Sequence, residues 1–247
     1  MGRMFFGLGF IGLSLVGFYT GDFVVARPPA WNSAFSPPHW IIYISNALLL
    51  LGGLFIVCQR IILPGALAIA LLILFLSVSR HLPVFLRDWT NAYKALALFG
   101  GSLIVACQPG LLKPESKKSR EIPPWKRDLV SGGILFMVIF FLACGYAHFK
   151  FSNFVIQFIP DYIPFRPFWA AFCGICLLAA GIGFLVPSTR QLAAFLSGIM
   201  ILGWFFLVHI PRIISNPESP AEWMGLFESL GFSGILFIMT GLSLRTK

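Results

Sequence analysis

Apolar residues in this chain come in eight long runs separated by short polar breaks, at about 4–20, 39–58, 61–79, 91–107, 128–147, 168–187, 191–208 and 224–244. Each run is close to the roughly 20 residues an α-helix needs to cross the hydrocarbon of a bilayer. Inside lipid no water is at hand for backbone N–H and C=O groups, so runs of this length must close their hydrogen bonds as helices. The pattern predicts an all-α polytopic membrane protein with eight transmembrane helices. Several runs are near the short end of the workable range, which predicts little tilt.

Composition agrees. Of 247 residues, 58% are hydrophobic and 11% charged, against about 25% charged in soluble domains. An ordinary cytosolic enzyme, a disordered chain and a disulfide scaffold are excluded. The formal charge of +9 does not point to nucleic acid, because no basic groove with interleaved aromatics is present. Its role is contact with anionic lipid and the setting of topology. With the first residue inside, the inner breaks hold eleven Lys and Arg, eight of them between Lys113 and Arg127 or in Arg245 and Lys247, and the outer breaks hold six. The positive-inside rule then places both termini in the cytoplasm. The style of the loops suggests a bacterial inner membrane. Met1-Gly2-Arg3 before an apolar run imitates a signal peptide, but no small-x-small cleavage site follows, so the run is expected to stay as a helix.

The runs also repeat. Arg80-His81-Leu82-Pro83 ends the third and Val208-His209-Ile210-Pro211 the seventh, and each is followed by a polar loop and a tryptophan, Trp89 and Trp223. Gly17-Phe18-Tyr19 corresponds to Gly145-Tyr146, and Phe35–Trp40 to Pro164–Trp169, each delivering prolines and an aromatic to the next run. Two units are expected, 1–110 and 128–247, joined by a basic linker at 111–127. An even number of spans per unit makes the two four-helix bundles run in the same direction, related by an axis along the membrane normal.

A four-span unit with these features resembles the DoxX-like membrane proteins. The second unit carries the likeness best, through Ile163-Pro-Phe-Arg-Pro-Phe-Trp169, Ala179-Ala-Gly-Ile-Gly183, Leu192-Ala-Ala-Phe195 and His209-Ile-Pro211. The resemblance implies a small four-helix bundle, and some relatives are membrane subunits of quinone-linked sulfur oxidation. The chain differs from the family in having two units and in lacking a Glu within 40–58 and 168–187.

Ionisable residues within a span are expensive, at roughly 2.5–3.5 kcal/mol near a helix centre, and so call for an explanation. Lys94 and Glu228 are two such residues, each five positions beyond its tryptophan. Two readings stand: a structural arrangement, in which the two pair with each other or Glu228 pairs with Arg212, and a proton or ligand site. His81 and His209 at the same level are either helix-ending His-Pro residues near the headgroups or ligands for a haem or a quinone carbonyl. Cys173 and Cys176 form a C-x-x-C, read as small residues at a packing face or as a redox pair. No metal site is expected. Gly7-Leu-Gly9-Phe-Ile-Gly12 mimics a dinucleotide fingerprint but lies in an apolar helix, so it marks close helix approach. The aromatic stretch 148–167 allows a short interfacial helix, which with loop 26–38 can cover an apolar cavity.

No catalytic signature emerges. The expected function is a membrane subunit or lipid- or quinone-binding module of a redox complex. The alternative is an autonomous quinone-linked oxidoreductase or small-molecule transporter.

Overall fold

The computed structural model describes residues 1–31, 37–108 and 123–242. Most of the expected linker 111–127, including Lys113, Lys117, Lys118 and Arg120, lies outside the described residues, as do part of loop 26–38, Arg245 and Lys247. Among the described residues there are helices and no strand. We label them α1 (Gly2–Thr20), α2 (His39–Val57), α3 (Ile62–Val84), α4 (Trp89–Cys107), α5 (Pro124–Lys150), α6 (Ser152–Phe158), α7 (Arg166–Leu185), α8 (Arg190–Ser215) and α9 (Pro220–Thr240). All except α6 are long and apolar enough to cross a bilayer, the layout of a multi-pass membrane protein.

Local chemistry sets many of the ends. Pro124 and Pro220 open α5 and α9, where a missing N–H is no loss. Gly21, at φ 68°, closes α1 in the left-handed conformation that a side chain would resist. Two helices run further than the sequence suggests: α3 continues through Pro83 to Val84, and α8 through Pro211 to Ser215. Both contain a π-helical turn just upstream, at Leu74–Val78 and Phe205–His209. Such a turn inserts a residue and relieves the clash a proline makes with the preceding turn. Pro211 leaves the Leu207 carbonyl without its helical donor, and the Tyr162 hydroxyl donates to it instead. The two His-Pro pairs therefore do not end their helices.

The spans pack in chain order around a ring, α1, α2, α3, α4, α5, α7, α8 and α9, and α9 closes it against α1. The principal contacts thus include α1 with α9 and α4 with α5, both of which join the first four spans to the last four. Across the middle α4 touches α9, and these are the two most buried spans. Glycines permit the closest approaches. A Cβ on Gly2 would lie 2.8 Å from the Gly234 carbonyl oxygen, and one on Gly100 2.9 Å from the Gly133 Cα. The α1–α9 and α4–α5 contacts are therefore alike in kind, as expected for small residues at helix crossings. Gly7 and Gly9 of the fingerprint-like run serve the same end, against Gly53 and Gly231.

Between α1 and α2 the chain turns inward. Phe23, Val24, Val25 and Ala26 are buried, although a connecting segment normally runs over the surface. The sequence placed this stretch in an exposed break. Its counterpart between α5 and α7 instead forms the short helix α6, which carries no buried residue.

Candidate functional site

At the end of the ring remote from Gly2 and Thr240, five acidic or basic side chains from four different helices, with the inward loop, make one layer. Its centre is the contact of α4 with α9. Lys94 Nζ lies 2.8 Å from Glu228 Oε2, with the side chains 15% and 6% exposed. The other carboxylate oxygen, Oε1, accepts the backbone N–H of Ala26 at 2.8 Å. Glu228 is thus tied to the first four spans twice, once through charge and once through the inward loop. Of the two structural arrangements read from the sequence, the Lys94–Glu228 pair is the one formed.

Arg212 pairs elsewhere. Its Nε donates to Glu222 Oε2 at 2.8 Å and its Nη2 to Oε1 at 2.5 Å, a two-pronged contact between α8 and α9. The remaining Nη1 donates to the Phe158 carbonyl at 3.1 Å, and the guanidinium lies 3.8 Å from the centre of the Phe158 ring. A planar guanidinium satisfies a carboxylate and stacks on a ring at the same time, which a lysine there would not do.

The inward loop is held by similar chemistry. Arg80 Nη1 and Nη2 donate to the two Asp22 oxygens at 3.0 and 2.9 Å, and Arg80 Nε donates to the Pro29 carbonyl at 2.7 Å. The Arg80 guanidinium also sits 4.2 Å from the Trp31 ring, whose indole N–H donates to Asp22 at 2.9 Å. Ser77 in the π-helical turn of α3 donates to the Val25 carbonyl at 2.6 Å. Between these ties Ala26 and Arg27 adopt φ of 62° and 51°, a left-handed conformation that costs a non-glycine residue on the order of 1 kcal/mol or more. The hydrogen bond to Glu228 and one from Arg27 Nη2 to the Ala221 carbonyl, at 2.6 Å, hold it there.

The histidines flank this layer. His81 is 1% exposed, and its Nδ1 lies 3.6 Å from Asp88 Oδ2, beyond hydrogen-bond reach. Among the described residues neither of its ring nitrogens makes a hydrogen bond of ordinary geometry, nor does His209 Nδ1, though Asp88 stands within ion-pair distance of His81. His209 lies over Gly225, where a Cβ would come within 2.9 Å of the ring. The two imidazoles stand on opposite sides of the Lys94–Glu228 contact, on α3 and α8, rather than together. Cys173 and Cys176 are free, half-buried thiols on α7, two places from α4 in the ring. Among the described residues no three His, Cys, Asp or Glu side chains converge as metal ligands do.

Three contributors were missed in the sequence reading. Arg80 counts among the outer basic residues and Asp22 falls in the break after the first run, and nothing local marks them as partners. Glu222 was detectable: it precedes Trp223 as Asp88 precedes Trp89, at the offset that relates Glu228 to Lys94.

A family model described as a domain of unknown function (DUF8561) matches residues 137–227. It spans His209, Arg212 and Glu222 and stops one residue before Glu228. No curated protein and no solved structure matches the chain.

Proposed function

We propose that this protein is a membrane-embedded binding module that holds a lipid-like molecule, such as a quinone, as a subunit of a redox complex. The observation that carries the reading is the placement of charge. The ions buried at one end of the spans are paired, as Arg80–Asp22, Lys94–Glu228 and Arg212–Glu222. Lys150 and Arg166 stand at this same end, and the remaining charges on the spans, Arg3, Lys126, Arg127, Asp128 and Arg190, at the opposite one. Between the two levels no span carries an Asp, Glu, Lys or Arg. A proton-coupled transporter needs titratable groups in succession through the membrane. Charges paired at one end of the bundle instead fix helices to each other.

In this reading the chain is a doubled DoxX-like unit with its halves parallel, in a bacterial inner membrane, both termini on the cytoplasmic side. The repeated glycine contacts, α1 on α9 and α4 on α5, support the doubling. A second reading, an autonomous quinone-linked oxidoreductase or transporter, draws on one observation: the ring nitrogens of His81 and the Nδ1 of His209, on either side of the pair, make no hydrogen bond among the described residues. An imidazole in that position accepts a proton or bonds a carbonyl.

Purification in mild detergent separates the two. The module reading predicts a stoichiometric amphiphile in the solvent extract and a co-purifying protein partner. Quinone reduction by the isolated chain, or solute uptake by proteoliposomes holding it alone, would contradict the reading.

A further inference from the structure

We infer that the groove between α4 and α5, at the level of the ion layer, is a binding site for an anionic phospholipid, the phosphate on Lys150 and the glycerol and upper acyl carbons on Trp89 and Tyr146. This rests on the binding-module reading and names the ligand class of one site. The groove encloses about 330 Å³ and is lined by Trp89 and Tyr93 of α4, Ala143, Tyr146 and Lys150 of α5, and the Phe85–Leu86 turn. It opens outward: Leu86 is 90% and Tyr146 55% exposed.

Charge selects the occupant. Lys150 Nζ stands 5.7 Å from the Trp89 ring centre, 5.8 Å from Tyr146 and 5.6 Å from Phe151. Yet among the described residues no carboxylate lies within ion-pair distance of it. Arg80, Lys94, Arg166 and Arg212 at this end of the ring all have one; among the described residues Arg27 and Arg87 do not, but neither lines the groove. A cation held over aromatic rings and left without a counter-ion, at the depth where tryptophan and tyrosine meet headgroups, suits a phosphodiester. The like seam between α9 and α1 is closed. There Phe227, at the offset that relates Glu228 to Lys94, occupies the place of Tyr93 and presses on Gly12, where a Cβ would run into its ring. Trp223 stacks on Phe227 with centroids 6.0 Å apart. Of two similar seams one is filled by the chain itself and the other is left open beside a free cation.

The test is native mass spectrometry of the detergent-purified full chain titrated with phosphatidylglycerol, phosphatidylcholine or a ubiquinone. Lys150→Gln is compared with Lys126→Gln, a lysine 5.4 Å from the Trp125 ring at the opposite end. We expect phosphatidylglycerol to bind in preference to phosphatidylcholine, Lys150→Gln to weaken it about fivefold, and Lys126→Gln to leave it unchanged. Equal binding of the two lipids, or phosphatidylglycerol binding unaltered in Lys150→Gln, overturns the lipid site, and retained quinone or protein partner then leaves the module reading standing. A wild-type chain that keeps no lipid, quinone or partner overturns both.

Discussion

Asp22 receives more hydrogen bonds than any other carboxylate in the layer, from Arg80, Trp31 and the Phe23 N–H. Hydrogen bonds to a charged group each contribute about 1.5–3 kcal/mol, so Asp22→Asn should lower stability by at least about 2 kcal/mol, read as an earlier thermal transition in detergent. Ser77→Ala removes a single neutral bond to the inward loop and should cost about 1 kcal/mol. In both variants a cysteine placed at Val25, buried in the native chain, should react faster with a maleimide. An unchanged rate would mean the loop is held by other contacts. Arg80 and Asp22 lie 58 positions apart, and their pairing depends on a loop entering the bundle, which no local pattern announces. Lys94 and Glu228 were legible for the opposite reason: an ionisable residue in an apolar run stands out, and the shared offset from a tryptophan supplied the partner.

Among helices, the crossings depend on glycine. At Gly234 a Cβ would run into the Phe6 backbone nitrogen, and backbone cannot move aside as a flexible side chain does. Gly234→Val should therefore cost about 1–3 kcal/mol, as overpacking does, whereas Gly132→Ala, with nothing within 4 Å of its Cβ, should stabilise α5 by about 0.5–1 kcal/mol. Thermal unfolding of the two variants checks both signs, and similar behaviour would contradict the crossing geometry. Helix existence was readable from the apolar runs, because lipid leaves the backbone no other solution. Helix ends were less so. Pro83 and Pro211 read as stops, but the π-helical turns before them carry α3 and α8 onward. A short helix forms within 148–167, as Ser152–Phe158, while the loop expected to join it in covering a cavity begins with a buried residue, Ala26.

For the whole molecule, the consequence is an eight-span ring in which the first and last four spans share their principal seams. The expectation of eight spans follows from hydrophobicity alone. The order in which they pack does not, because it depends on which glycine faces meet and where charges pair. Stability of the whole should be one cooperative quantity rather than two, since α1 rests on α9 and α4 on α5. A single unfolding transition in calorimetry is expected, and two well-separated transitions would argue for independent halves.

The central claim is that Lys94 and Glu228 clamp the two halves together and are not steps in a proton path. Exchanging the charges tests it most directly. Lys94→Glu or Glu228→Lys alone leaves two like charges buried in contact and should cost at least about 3–5 kcal/mol. The double exchange should recover most of that loss. It should remain short of wild type by about 1.5–3 kcal/mol, because the Ala26 N–H no longer meets a carboxylate at position 228. A double variant as unstable as the sum of the singles would contradict the account.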